Sequence, residues 1–333
     1  MKSLARKPIK FISDKFKNFN TEIFPPIHYF KSLEIKKEIL KNYASCDKIL
    51  FDAVSNSLPS LIGRIGGTEA RVLGCLVDLK FHESKFDPLA MLYSTAIYHR
   101  RVKQLQNGAG IFPITNESMS FFLREYSDAF LNSDIFGCWG HASTWSENYF
   151  LKNKVLEQII VPHMSTAPWI QTYSDNSSSI EPWSYGLEGK KILVISAFSK
   201  SFSHQHKNIH KVFPNNYYPK FDPIFIQSPM TQGGGKGSWI TELGKIKETM
   251  RDLDFEVALI SAGGYALPIA NYVKSLGKIG VNCGGELQLF FGVLGKRWDH
   301  SVKHQKYFNS NWIRPDTQER PNNWMTIENG CYW

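Results

Sequence analysis

Charged side chains flank a pair of glycines early in the chain, in the order Arg64, Gly66, Gly67, Thr68 and Glu69. A glycine turn lets backbone N–H groups approach a ligand closely, and the start of a following helix favours an anion. Arginine pairs with phosphate, and a carboxylate can deprotonate a hydroxyl, hold a metal ion or bind sugar hydroxyls. Arg64 and Glu69 could instead form an ion pair that only steadies the turn, with Thr68 near the helix cap.

A second glycine pair lies in residues 278–298, where a short β-type run leads into Gly284 and Gly285. An apolar helical stretch follows, and then come Lys296, Arg297 and a tryptophan. Two cations can bind phosphate, and an indole can stack on a flat ring. The segment is therefore a candidate for binding a phosphorylated ligand.

Polar side chains also follow two other predicted strands. His141 lies between Trp139 and Trp145, and flat rings beside a polar group suit the stacking of a sugar or a base. A polar passage from Phe198 to His206 follows the clearest buried strand and is interpreted as a loop. Its residues Ser201 and Gln205 could donate hydrogen bonds to phosphate. For all three polar residues a purely structural role is an equally valid alternative.

The turn Gly263-Gly264 precedes Tyr265, and Gln288 follows the second glycine pair. We expect these glycines to bring the backbone close to a donor, and Tyr265 and Gln288 to contact its base or sugar. The turn does not follow the GxGxxG pattern, so it gives little support for a dinucleotide site.

Several familiar motifs are missing from the sequence. Gly233 to Gly237 is not a P-loop, because Lys236 is followed by glycine, and it is interpreted as a mobile loop. There is no GxSxG elbow and no HExxH pair. The five cysteines are scattered without a CxxC pair, which argues against zinc and disulfides and favours the reducing cytoplasm.

The net charge is +9, and basic residues are concentrated in residues 1–20, interleaved with apolar ones. Such a segment could lie on anionic lipid at the inner face of the cytoplasmic membrane, or it could be a solvated, frayed helix. No nucleic-acid-binding module is recognisable, so nucleic acid is not an expected partner. No apolar run approaches the roughly 18–20 residues needed to span a bilayer, and no secretory signal is expected.

Strand-like and helical segments alternate along the chain. We predict strands at 60–65, 134–139, 191–197, 256–261 and 279–282, and helices at 31–57, 88–106, 117–132, 207–212, 238–251 and 267–276. The alternation predicts an α/β fold with a Rossmann-like, mostly parallel sheet flanked by helices and a helical N-terminal extension. In such sheets ligands bind beyond the carboxyl ends of the strands, where the glycine turns would converge.

A passage rich in Ser, Asn, Pro and Gly, residues 174–190, is interpreted as a linker. We therefore divide the chain into a basic helical segment (1–57), an N-terminal α/β half (58–185) and a C-terminal Rossmann-like half (186–333) with the donor-binding glycine turns.

The chain from about residue 58 to its end resembles the GT-D type glycosyltransferases of bacterial surface-polysaccharide loci (O-antigen, capsule and lipopolysaccharide). The similarity is carried by several short motifs: Gly63-Arg-Ile-Gly-Gly-Thr-Glu69, Glu181-Pro-Trp183 with Gly189-Lys-Lys-Ile-Leu-Val-Ile195, Ala262-Gly-Gly-Tyr265 with Pro268, Gly284-Gly-Glu-Leu-Gln288 with Phe291-Gly292, Gly295-Lys-Arg-Trp298, and Glu328-Asn-Gly-Cys-Tyr-Trp333.

The resemblance implies transfer of a sugar from an activated donor, usually a nucleotide diphosphate sugar, to a growing glycan, which could be lipid-linked. Family members carry Asp-Gly-Glu after Arg-Phe-Gly, and the acidic pair is linked to metal binding. Here Gly67 and Thr68 take the first two positions and only Glu69 remains. The departure favours transfer that requires no cofactor, with Mn²⁺ or Mg²⁺ as the less favoured alternative.

In this interpretation Glu69 orients or deprotonates the acceptor hydroxyl. Arg64, Lys296 and Arg297 bind the donor phosphates, because negative charge builds on the departing diphosphate. His141 is also placed in the catalytic group, as a contact to the base or the sugar.

Two alternatives stay open from the sequence. The donor could be phosphoribosyl pyrophosphate, which also presents a diphosphate to cations. The chain could also be a non-catalytic protein that binds a nucleotide or a glycan.

Overall fold

The computed structural model describes residues 43–85, 88–139, 158–170, 181–232 and 237–333. Several sequence predictions lie wholly or partly outside the described residues: the basic segment 1–20, His141, the linker at 174–190, which is described from residue 181, and most of the glycine-rich loop at 233–237. Of the helix predicted over 31–57, the described part is α1, Tyr43–Ser55.

The described residues form one seven-stranded, all-parallel sheet. Its strands are β1 Ser60–Arg64, β2 Ile135–Cys138, β3 Ile159–Pro162, β4 Lys191–Ser196, β5 Asp222–Gln227, β6 Val257–Ser261 and β7 Ile279–Asn282. Their order across the sheet is β3-β2-β1-β7-β6-β4-β5. The architecture is α/β and consistent with a Rossmann-like fold, as predicted.

All five predicted strands are present, and the two strands that were not predicted are the two edges of the sheet. β3 has an exposed first residue, and β5 contains Pro223 and is only partly buried. A proline is tolerated at an edge, because its missing N–H does not have to pair with a neighbour. The composition of these two strands therefore gave no clear signal of a buried strand.

Helices flank the sheet on both faces. In chain order after α1 they are α2 Gly67–Lys85, α3 Pro88–Gln104, α4 Asn116–Asn132, α5 Ser199–Lys207, α6 Ile209–Val212, α7 Trp239–Arg251, α8 Ala266–Ser275, α9 Leu287–Phe290 and α10 Val302–Gln305. The prediction that Phe198 to His206 is a polar loop was wrong, because α5 begins directly after β4.

Two hydrophobic cores cover the two faces of the sheet. One packs α2, α4, α7 and α8 on inward residues such as Leu61, Leu193 and Ile260. The other packs α1, α5, α6 and α9 on their neighbours Ile62, Ile192 and Leu259. Successive residues of a strand point to opposite faces, so β1, β2, β3, β4, β5 and β6 contribute side chains to both cores, whereas β7 contributes Ile279 and Val281 to the second core alone.

The central pairing of the sheet joins the two predicted halves of the chain. Leu61 of β1 lies beside Gly280 of β7, and Ile62 lies beside Val281. The strands of residues 58–185 and of residues 186–333 are therefore continuous in one sheet. The carboxyl ends of β1 and β7 meet at its middle.

None of the helices in the described ranges is both long enough and apolar enough to cross a bilayer.

Candidate active site

The carboxyl ends of β1 and β7 are tied together by Asn282, the last residue of β7. Its side-chain amide donates to the carbonyl of Arg64 at 2.8 Å and accepts from the N–H of Gly284 at 3.3 Å. The two glycine turns that the sequence singled out thus lie side by side. Asn282 was not predicted to contribute, although an amide at the end of a central strand is a usable signal.

Arg64 is buried at this junction, and its partner is Glu286. Its Nη2 donates to Glu286 Oε2 at 2.6 Å, with side-chain exposures of 5% and 15%. Burial alone would raise the pKa of Glu286, but the Arg64 guanidinium overcomes this and holds that pKa below its usual value. The alternative of an Arg64–Glu69 ion pair is therefore not the arrangement found.

The Arg64 guanidinium lies directly on Gly284. A Cβ built on Gly284 would come within 1.3 Å of Arg64 Nη2, and the residue has a φ of 60°. Only glycine fits this position, both for space and for backbone conformation. Arg64 Nη1 is also buried, and within the described residues it has no hydrogen-bond partner, so one nitrogen of the guanidinium still has a donor to offer.

Glu69 lies in the first turn of α2 with its carboxyl group folded back onto the glycine turn. A Cβ on Gly66 would be 2.3 Å from Glu69 Oε2. Burial raises the pKa of Glu69 from 4.5 to about 7, its own backbone N–H opposes the rise, and the charge of Glu328 adds to it. A carboxyl with a pKa near 7 can take up a proton at neutral pH.

Arg297 forms a third part of the site together with residues from the end of the chain. Its Nη2 donates to Glu328 Oε2 at 2.7 Å and to Cys331 Sγ at 2.8 Å. Its guanidinium lies over the Tyr332 ring, 4.1 Å from the centroid. A Cβ on Gly285 would be 2.9 Å from Arg297 Nη1, so Arg297 covers the second glycine pair as Arg64 does.

Carboxylates thus link two of the predicted phosphate-binding residues, Arg64 and Arg297. Glu328 interacts electrostatically with Glu69 and also pairs with Arg297, while Glu286 is influenced by both Arg64 and Arg297. Each arginine already has a carboxylate partner, which the sequence did not indicate. Lys296 is exposed beside Arg297.

Thr68 and Gly67 are half-buried on the same turn as Glu69. A Cβ on Gly67 would meet no atom of the described residues within 4 Å. This part of the turn has room for an approaching molecule.

The turn at Gly263 and Gly264 is covered by another part of the chain. A Cβ on Gly264 would be 2.7 Å from the carbonyl oxygen of Ala109. Tyr265 is fully buried, and its hydroxyl lies 2.6 Å from Thr231 Oγ1. The close backbone approach that these glycines permit is therefore used for internal packing, and nothing here places them against a donor.

Ser201 and Gln205 are likewise engaged by internal partners. The Ser201 hydroxyl donates to Glu319, while Gln205 Nε2 donates to the carbonyls of Gly292 and Asn311, each at 2.9 Å. Both residues are buried. These hydrogen bonds give Ser201 and Gln205 a structural role, which was the alternative to phosphate binding.

Gln288 is fully buried, and its Nε2 donates to the Tyr332 carbonyl at 2.9 Å. Its role in the structure is to fix the end of the chain beside Arg297. A direct contact with a base or a sugar stays a prediction.

Trp139 is placed beside the site by β2. Its Nε1 donates to the carbonyl of Ile65 at 2.8 Å, and its ring stacks on His163 with centroids 3.7 Å apart. Trp139 was noted in the sequence only as a neighbour of His141, which lies outside the described residues.

Two carboxylates of the site, Glu286 and Glu328, were not assigned roles from the sequence. Glu286 directly follows a double glycine, and Glu69 follows one after a single threonine, so this similar pattern is a signal that could have identified Glu286. Glu328 is brought to Arg297 only by the path of the C-terminal residues, so no local pattern indicates it.

Among the residues that the structure describes, no group of three or more His, Cys, Asp or Glu side chains is arranged to hold a metal ion. We assign no metal ligands.

Comparison of the chain with protein-family models, with curated proteins and with solved structures finds no match.

Proposed function

We propose that this protein is a glycosyltransferase that moves a sugar from a nucleotide diphosphate donor to a hydroxyl of a bacterial surface glycan. The proposal is supported by motifs that resemble those of GT-D type enzymes and, above all, by one observation. A buried carboxyl with a pKa of about 7, Glu69, follows the same glycine turn that the buried Arg64 guanidinium precedes, and Arg64 Nη1 has no hydrogen-bond partner among the residues that the structure describes.

The two groups suit the two ends of the transfer reaction. The Glu69 carboxylate accepts the proton of the acceptor hydroxyl as its oxygen attacks the anomeric carbon of the donor. The bond from that carbon to the diphosphate oxygen breaks, and the diphosphate leaves with the electron pair. Arg64 Nη1 offers a hydrogen bond to the departing charge while Nη2 keeps its bond to Glu286.

Arg297 and Lys296 would provide further positive charge for the diphosphate. A metal-free reaction is the form of the proposal that these cations favour, since they neutralise the leaving group without a divalent ion. The half-buried turn at Gly67 and Thr68 is where the reacting groups would approach Glu69.

The test is turnover with a panel of UDP-, GDP- and dTDP-sugars and phosphoribosyl pyrophosphate, with a surface-glycan extract or water as acceptor. Product mass identifies the donor, and parallel assays with and without Mn²⁺ test the metal. We expect Glu69→Gln to lower turnover about 100-fold or more, because a general base contributes roughly that much. Donor affinity, measured by calorimetry, should change by less than about twofold.

Asp47 offers a matched control. It is another buried carboxyl whose pKa is raised to about 7, chiefly by burial, and it accepts from the backbone N–H of Trp183 at 3.2 Å. Asp47→Asn should leave turnover unchanged. Wild-type protein that binds donors but yields no product with any donor would favour the non-catalytic binding protein instead.

A further inference from the structure

Residues 327–333, which we call the C-terminal wall, form one side of the candidate site. The carbonyls of Cys331 and Trp333 accept from the backbone N–H groups of Arg297 and Lys296, at 3.0 and 3.2 Å. The Tyr332 carbonyl accepts from Gln288. These backbone bonds hold the wall against the segment that carries Arg297.

Glu328 is the residue by which the wall neutralises Arg297. The Arg297 side chain is 24% exposed, whereas that of Glu328 is 56% exposed. The cation is thus largely shielded by protein, and the anion is largely in water. A carboxylate that is already well solvated gives up such an ion pair easily.

The backbone that presents Glu328 is in an unfavourable conformation. Glu328, Asn329 and Gly330 have φ values of 47°, 55° and 70°. The left-handed region suits glycine and is tolerated by asparagine, but it is uncommon for glutamate. Strain of this kind is found where a segment takes part in function, and it would be relieved if the turn opened.

Arg297 would keep other contacts if Glu328 left. The Tyr332 ring and the Cys331 sulfur remain beside its guanidinium. Its backbone N–H also stays bonded to the wall. The position vacated next to the guanidinium is one that another anion can take.

We infer that Glu328 is an internal competitor for the donor diphosphate: it occupies Arg297 in the ligand-free protein and is displaced when the diphosphate binds. This inference rests on the proposed function, because it takes the diphosphate as the ligand of Arg297. The turn at 328–330 then sets the affinity for the donor. Its return to Arg297 also helps to expel the nucleoside diphosphate product.

The test is calorimetric binding of inorganic pyrophosphate and of UDP to the full chain. We expect Glu328→Gln to bind both about fivefold more tightly, since an exposed ion pair contributes up to about that factor. Glu125→Gln is the control, because Glu125 pairs with Lys247 at 2.9 Å between α4 and α7. It should leave both affinities unchanged.

Two substitutions at Asn329 give an independent test, because they should change the affinity for pyrophosphate in opposite directions. Asn329→Gly favours the left-handed turn and should weaken pyrophosphate binding, whereas Asn329→Ala disfavours the turn and should strengthen it. Shifts in the same direction for both variants would overturn the inference.

The outcomes separate this inference from the proposed function. If Glu328→Gln binds pyrophosphate with wild-type or lower affinity, Glu328 is not a competitor, although the diphosphate site stands. If neither protein binds pyrophosphate or UDP, the diphosphate site and the competitor are both refuted.

Discussion

Two strand-to-helix junctions at the same edge of the sheet are used in opposite ways. Where β4 meets α5, the fully buried Glu319 accepts hydrogen bonds from the backbone N–H groups of Lys200 and Ser201 and from the Ser201 hydroxyl. Where β1 meets α2, the turn is half exposed and Glu69 lies folded on Gly66.

Of these two junctions, the one between β1 and α2 is available to a ligand. The start of a helix attracts an anion, and at α5 the protein supplies that anion itself. At α2 the nearby groups are a carboxyl with a raised pKa and a guanidinium with a donor to offer. A parallel sheet therefore gives several equivalent positions, and side chains from distant segments decide which of them stays open.

The largest expected effect comes from removing Glu319 from the junction of β4 and α5. Glu319→Ala should lower the free energy of unfolding by about 4 kcal/mol, because several hydrogen bonds to a buried charge are lost together. Urea denaturation followed by circular dichroism measures this. Glu319→Gln keeps an acceptor oxygen and should recover part of the loss. A change below about 1 kcal/mol in Glu319→Ala would contradict the structural role of this residue.

At the junction of β1 and α2, replacing the glutamate should stabilise the protein rather than destabilise it at high pH. The pKa of Glu69 is raised from 4.5 to about 7, so its contribution to stability is complete below pH 4.5 and is lost as the pH rises through 7. Glu69→Gln should therefore be more stable than wild type at pH 8, by up to about 3 kcal/mol, and nearly equal to it at pH 4.5. Denaturation curves at the two pH values provide the measurement.

Glu286→Gln is the control of opposite sign for this pH dependence. Burial favours a higher pKa for Glu286, but Arg64 lowers that pKa overall. The contribution of Glu286 to the free energy of unfolding is therefore present above pH 4.5 and is lost on acidification. The variant should be less stable than wild type at pH 8. Equal behaviour of the two glutamine variants would contradict the assigned electrostatics.

The smallest predicted effects compare two glycines of the site. Gly284→Ala would press on Arg64 and would place alanine at a φ of 60°, so we expect a loss of about 2 kcal/mol and weaker pyrophosphate binding. Gly67→Ala would meet no atom within 4 Å in the part of the chain that the structure describes, and it should change stability by less than about 0.5 kcal/mol. Thermal denaturation compares the stabilities of the two variants. If Gly67→Ala were the less stable one, the result would argue against the tight Arg64–Gly284 contact.

Much of the fold could be predicted from the sequence because buried parallel strands are continuous apolar runs. β4 and β6 are easily recognised in the sequence for this reason, since nearly all of their residues are buried. β3 and β5 could not be recognised, since an edge strand is less buried and tolerates residues such as Pro223.

The site was less predictable because ion pairing depends on distant segments. The glycine turns indicated where Arg64 and Arg297 are placed, but nothing local to either arginine specifies Glu286 or Glu328 as its partner. Likewise, Ser201 follows a buried strand as a phosphate ligand would, and only the three-dimensional path of the chain brings Glu319 to it.

The pairing of β1 with β7 has a consequence for biosynthesis. β1 is among the earliest described strands to leave the ribosome, yet one of its two edges has no neighbour until residues 279–282 have been made. During translation that apolar strand presents unpaired backbone groups, which are a template for association with other chains. Fragments that end before β7 should therefore precipitate or need a chaperone, and the intact chain should not.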